Sequence, residues 1–100
     1  MRSIKASSPS ITIKVTKEDI RKGKPGIASS CPIAKALRRA TRAREVVVGL
    51  STCKWKKKGV WFSYSVLGEV QNFIGAFDGG WRVKPFSFEM HENLVSIVGQ

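Results

Sequence analysis

A chain of 100 residues, 42% hydrophobic and 25% charged, makes one small domain with a single modest core. Eighteen Lys and Arg against seven Asp and Glu give a net charge of +11, which selects polyanionic partners: nucleic acid, anionic lipid or an acidic protein surface. Two cysteines, Cys31 and Cys53, with one histidine, His91, exclude a disulfide framework and a four-ligand zinc site, and no apolar run is long enough to span a membrane. The first ten residues are polar and basic, lack the apolar stretch of a secretory signal, and read as a flexible arm before a domain over 11–100. A cytoplasmic protein with reduced thiols is expected.

Residues 11–16, Ile-Thr-Ile-Lys-Val-Thr, alternate apolar and polar with β-branched side chains, the pattern of a half-buried strand. Thr16 followed by Asp19 marks a helix start and predicts a single turn over 17–22, broken by Gly23-Lys24-Pro25-Gly26. Ser30-Cys31-Pro32 opens the first full helix, because proline at a first helical position loses no useful N–H. Ile33, Ala36, Leu37 and Ala40 form its buried stripe, and Lys35, Arg38, Arg39 and Arg42 its basic face. A second strand begins at 45–50 and a third covers 60–66. Leu67, Val70, Phe73, Ile74 and Phe77 fall on one face of a second helix, with Ser65 as its cap and Gly79-Gly80 as its stop. Residues 82–89 make a fourth strand, kept to an edge or a bulge by Pro85. Residues 94–98 are a last short strand or a tail. The expected class is α+β, in the order β-α-β-β-α-β, with a mainly antiparallel sheet packed by two helices.

The most informative segment is Thr52-Cys53-Lys54-Trp55-Lys56-Lys57-Lys58-Gly59-Val60-Trp61-Phe62. Four lysines and two of the three tryptophans fall within eleven residues. Lysines neutralise phosphate and aromatic rings stack on bases. A three-residue loop, Lys57-Lys58-Gly59, sets Trp55 opposite Trp61 on the outer face, with Ser51, Cys53, Ser63 and Ser65. Val48, Leu50, Phe62, Tyr64 and Val66 then face the core. A one-residue slip would bury the tryptophans instead.

The chain resembles a group of short, mostly uncharacterised bacteriophage and prophage proteins. The resemblance is carried by Ile13-Lys14-Val15-Thr16-Lys17-Glu18-Asp19-Ile20 with Gly23, and by Cys31-Pro32-Ile33-Ala34-Lys35-Ala36-Leu37. It continues in Phe73-Ile74-Gly75-Ala76-Phe77-Asp78-Gly79-Gly80 and Val83-Lys84-Pro85-Phe86-Ser87-Phe88-Glu89. It implies a phage-type setting and no particular chemistry. The lysine-rich hairpin lies between the matching blocks.

Catalytic chemistry finds no foothold. Cys31 at a helix N-terminus is placed for a lowered thiol pKa, yet His91 is the only base of the right type and no catalytic signature surrounds either. Packing is the simpler role for Cys31, and a Cys31–Cys53–His91 metal site lacks a closely spaced ligand pair. Glu18 and Asp19 suit helix-dipole compensation, and Asp78 suits a turn. The expectation is a non-enzymatic binding protein that needs no cofactor or metal and does not insert in a membrane. Its binding residues are Lys54, Trp55, Lys56, Lys57, Lys58 and Trp61, extended by Arg38, Arg39 and Arg42, and its partner is nucleic acid or a nucleotide. The alternative is a phage-type inhibitor or adaptor that docks on an acidic surface of a host protein. A solvated basic surface is the bland reading of the same charge, and an exposed strand edge or tryptophan pair also suits a homodimer.

Overall fold

The computed structural model describes residues 10–66, 68–91 and 95–98. The proposed arm falls almost wholly on 1–9, and Leu67 and Leu94 are likewise outside the described residues. Among the described residues nine elements follow in order: β1 (Ser10–Val15), α1 (Lys17–Lys22), α2 (Pro32–Thr41), β2 (Glu45–Val48), β3 (Thr52–Lys57), β4 (Val60–Ser65), α3 (Glu69–Asp78), β5 (Phe86–His91) and β6 (Ser96–Val98). The class is α+β, with antiparallel strands in two open sheets. Among the described residues, no helix is long and apolar enough to cross a membrane.

The helix boundaries follow local chemistry. Thr16 and Asp19 form a reciprocal capping box: Thr16 Oγ1 accepts from Asp19 N–H at 3.1 Å, and an Asp19 carboxylate oxygen accepts from Thr16 N–H at 2.9 Å. Gly23 closes α1 at a crowded point, where a Cβ would lie 2.7 Å from the Pro32 ring and 2.8 Å from Asp19 O. Cys31 caps α2 through its sulfur, which accepts from Ala34 N–H at 3.4 Å, and Pro32 takes the first helical position. The cap of α3 is Gly68, which offers no side chain, rather than Ser65. Gly79 ends that helix as expected.

The small sheet pairs the first described strand, β1, with the distant β5, so that Ile13 lies opposite Phe88 and Val15 opposite Phe86. Strand β5 starts at Phe86, just past Pro85, which therefore never has to donate to the ladder. The larger sheet has the order β2-β3-β4-β6. The apolar run after Glu45 is cut at Gly49: β2 ends at Val48 and turns back into β3, with Gly49 N–H donating to Thr52 O at 2.8 Å. Leu50 sits in that turn and is 59% exposed, not a core residue. Residues 96–98 form a true strand against β4.

Helix α2 packs on β1, β2 and β3, which places the core between the two sheets. Ile13, Val15, Ile33, Leu37, Val46, Val48, Cys53 and Met90 are buried there. Phe73 joins α3 to β5 through Phe86, ring centroids 4.8 Å apart and tilted, and stacks with Phe77 at 6.2 Å. Tyr64 on β4 bridges the sheets, its hydroxyl donating to Glu89 O and accepting from His91 N–H, each at 3.4 Å.

Candidate nucleic-acid interface

The hairpin of β3 and β4 has a two-residue loop, Lys58-Gly59, with both residues in the left-handed region at φ 52° and 79°. Right-handed strand twist favours that turn geometry, and its preferred sequence is Asn-Gly. The loop is one residue shorter than the Lys57-Lys58-Gly59 loop expected from sequence, so β3 slips by one position against β4. Trp55 pairs with Phe62, not with Trp61, and Cys53 pairs with Tyr64.

Because a strand alternates faces, the slip inverts every side chain of β3 and none of β4. Trp55 turns inward and is 5% exposed, with its ring 5.8 Å from that of Phe62. Cys53 turns inward beside it and is fully buried. Trp55 is therefore a core residue and leaves the binding set. Trp61, with Ser63 and Ser65, keeps the outward orientation that the alternation of β4 predicted. It is half-buried and stands directly opposite Lys56, while Lys54 stands opposite Ser63 on the same face. Val47 on β2 and Val98 on β6 complete this outer face, on which Val47 and Lys54 are exposed.

The second part of the site is a cleft of about 290 Å³ at the hairpin's tip, lined by Arg42, Arg44, Lys56, Lys57 and Lys58, with Glu45 as its one carboxylate. Side-chain hydrogen bonds hold the segment that carries the arginines. Lys57 Nζ donates to Thr41 O at 3.0 Å, Arg38 Nε donates to Arg44 O at 3.0 Å, and Ala43 N–H donates to Thr41 Oγ1 at 3.2 Å. Lys56 is shared by face and cleft, and its ammonium lies 3.8 Å from Glu45.

The expected arginine track divides. Arg42 lines the cleft. Arg38 braces the segment behind it. Arg39 belongs to the scaffold: its guanidinium grips Asp19 with two bonds of 2.7 and 3.0 Å and also donates to Lys14 O at 2.7 Å. Burial alone would raise the Asp19 carboxyl, but the Arg39 guanidinium and the Thr16 N–H outweigh it and hold the carboxyl below its ordinary value. Arg44 was not singled out from sequence. The signal is its alternation with Arg42 around buried Ala43, in the short connection between α2 and β2.

The thiols are not poised for chemistry. Burial pushes Cys53 up to about 12, and burial likewise raises Cys31 in spite of backbone N–H groups from Ala34 and Ile33. His91 is exposed at the end of β5, opposite Ser10. Among the described residues no three His, Cys, Asp or Glu side chains cluster as metal ligands. Protein-family models, curated proteins and solved structures offer no match to this chain.

Proposed function

We propose that this is a small phage-type, non-enzymatic nucleic-acid-binding protein whose binding surface is the outer face of the four-stranded sheet, continued into the basic cleft. One observation carries the reading: Trp61 is held in register opposite Lys56 and diagonal to Lys54, on the face of the sheet opposite the buried Trp55 and Cys53. Cross-strand neighbours sit about 5 Å apart, so a base stacked on the indole brings its phosphate within reach of either ammonium. Stacking needs an unpaired base, so single-stranded segments are the favoured ligand. The charge of +11 speeds encounter with any polyanion.

The phage setting rests on the sequence resemblance. Its blocks fall on β1 with α1, on α2, on α3 and on β5, which are scaffold elements, and they leave out the surface described above.

A protein-docking role has its own support. Trp81 is 75% exposed over Gly79 at the C-terminal end of α3, and Leu50 and Ile27 are exposed beside a small cleft with Ile74 and Asp78. These apolar groups suit an inhibitor or adaptor that docks on a host protein. The two readings separate in one experiment. Direct binding of a labelled single-stranded oligonucleotide, weakened by roughly 1–3 kcal/mol in folded Trp61→Ala, supports the first. Retention of one host protein after nuclease treatment, lost in Trp81→Ala and intact in Trp61→Ala, supports the second.

A further inference from the structure

Arg42 and Lys58 are the two non-glycine residues with left-handed backbone among the described residues, at φ 63° and 52°. They lie sixteen positions apart in sequence, one ending α2 and the other in the hairpin loop, and both line the same cleft. A side chain with a Cβ is disfavoured in this conformation, and glycine or asparagine adopts it at lower cost. Glycine is the common choice where a helix ends this way, and asparagine is the common choice at the first position of such a loop. At both positions the fold would be better served by a smaller residue, and at both the chain carries a cation. Strained positions of this kind gather where a site demands them.

The surroundings fit an anion. Three of the α2 carbonyls at this end are engaged: Leu37 O accepts from Thr41 Oγ1 at 2.8 Å, Arg38 O from Arg42 N–H at 2.8 Å, and Thr41 O from Lys57 Nζ at 3.0 Å. Arg42, Arg44, Lys56, Lys57 and Lys58 line the cleft with Glu45 as its one carboxylate, which Lys56 already approaches. The space of about 290 Å³ is at the small end of ligand sites.

The geometry points to a phosphate-binding site in this cleft, for which Arg42 and Lys58 are the specific ligands and which acts on phosphate itself, whatever base accompanies it. Its occupant is a phosphate of a polynucleotide strand or of a free nucleotide. The site does not depend on Trp61, so it stands or falls apart from the stacking role of the outer face.

The test titrates inorganic pyrophosphate into the isotopically labelled protein at constant ionic strength and follows backbone amides. Shifts are expected at 42–45 and 56–59, and not at Ser63. Arg42→Gly and Lys58→Asn should each weaken pyrophosphate about tenfold, the loss of one charge-assisted contact. Each should also raise Tm by a few degrees, because strain is relieved. Opposite signs in binding and stability distinguish a strained ligand from a structural residue. Competition by a single-stranded oligonucleotide identifies the strand as the source of the phosphate, and its absence identifies a free nucleotide. Equal shifts with chloride, unchanged pyrophosphate affinity in the double variant, or variants that lose stability together with binding would overturn the assignment. Oligonucleotide binding at Trp61 without any pyrophosphate response would overturn this site alone and leave the stacking role intact.

Discussion

Replacing Trp55 and Trp61 one at a time by alanine gives two opposite outcomes, because one residue of register separates them. Trp55 is 5% exposed, packed 5.8 Å from Phe62 and paired across the sheet with Val46 as well. Burying a ring of about 200 Å² at about 25 cal/mol per Å² is worth on the order of 5 kcal/mol. Truncation of a buried tryptophan costs ~3–5 kcal/mol once the cavity is included. A domain of this size has a total stability on the order of 5–15 kcal/mol, so Trp55→Ala should lose a large share of it. At roughly 4–8 °C per kcal/mol the melting point falls by more than 10 °C. Trp61 is only half-buried on the outer face, so Trp61→Ala should cost clearly less than Trp55→Ala while weakening oligonucleotide binding. Urea unfolding followed by far-UV circular dichroism reads the first effect, and fluorescence anisotropy of a labelled oligonucleotide reads the second. A stable Trp55→Ala protein that has lost binding, beside a destabilised Trp61→Ala, would refute the register and with it the whole assignment of faces.

Phe73→Ala should cost ~3–5 kcal/mol by urea melts, since the ring joins α3 to Phe86 on β5; a loss below about 1 kcal/mol would detach α3 from the core. The Asp19 carboxyl lies below its unfolded value of about 4, so its contribution is present above about pH 4 and is lost as pH falls through the folded pKa. Asp19→Asn should therefore lower stability at pH 7 and flatten the acid limb, and an unchanged acid limb would count against the Arg39 pair. The Cys53 thiol is raised from about 8.5 in the unfolded chain to about 12, so its contribution is full below about pH 8.5 and declines as pH rises. The stability difference between wild type and Cys53→Ala should shrink from pH 8 to 10.5; a constant difference would contradict the burial of that thiol.

The parts of the fold legible in the sequence are those whose signals are local. The Thr16–Asp19 capping box, proline after Cys31, and the spacing of Val70, Phe73, Ile74 and Phe77 each describe a few neighbouring residues, and each placed a helix. The alternation of 11–16 and of 60–66 placed β1 and β4 with their correct faces. What escaped depended on one loop length or on distant partners. Lysine at a left-handed loop position carries none of the signal that asparagine would, so the hairpin read as three residues, and Trp55 and Cys53 were set on the wrong face. Gly49 read as a residue within the second strand, which hid the turn to β3 and put Leu50 in the core. Arg39 looked like part of a basic track because its partner, Asp19, is twenty positions away on another helix. The division into two sheets rests on pairing between β1 and β5, which no short-range pattern records.

The candidate surface was half legible for the same reason. Lys54, Lys56, Lys57, Lys58, Trp61 and Arg42 remain together at one end of the larger sheet, while Trp55 and Arg39 belong to the scaffold and Arg44 joins the cleft. Lys57 combines two jobs, since its ammonium also braces Thr41 O. Its removal should therefore affect both stability and affinity, which makes Lys54 and Lys56 the cleaner probes of binding.

The most direct test of the central claim is the salt dependence of oligonucleotide binding in wild type and in Lys54→Gln/Lys56→Gln. Each phosphate contact to a single strand contributes about 0.7 to the slope of log K against log salt. Anisotropy titrations from low to physiological salt should therefore show a wild-type affinity that falls steeply with salt and a slope shallower by about 1.4 in the double variant. Absence of binding at low salt, or the same slope in both proteins, would contradict a nucleic-acid interface on the outer face of this sheet.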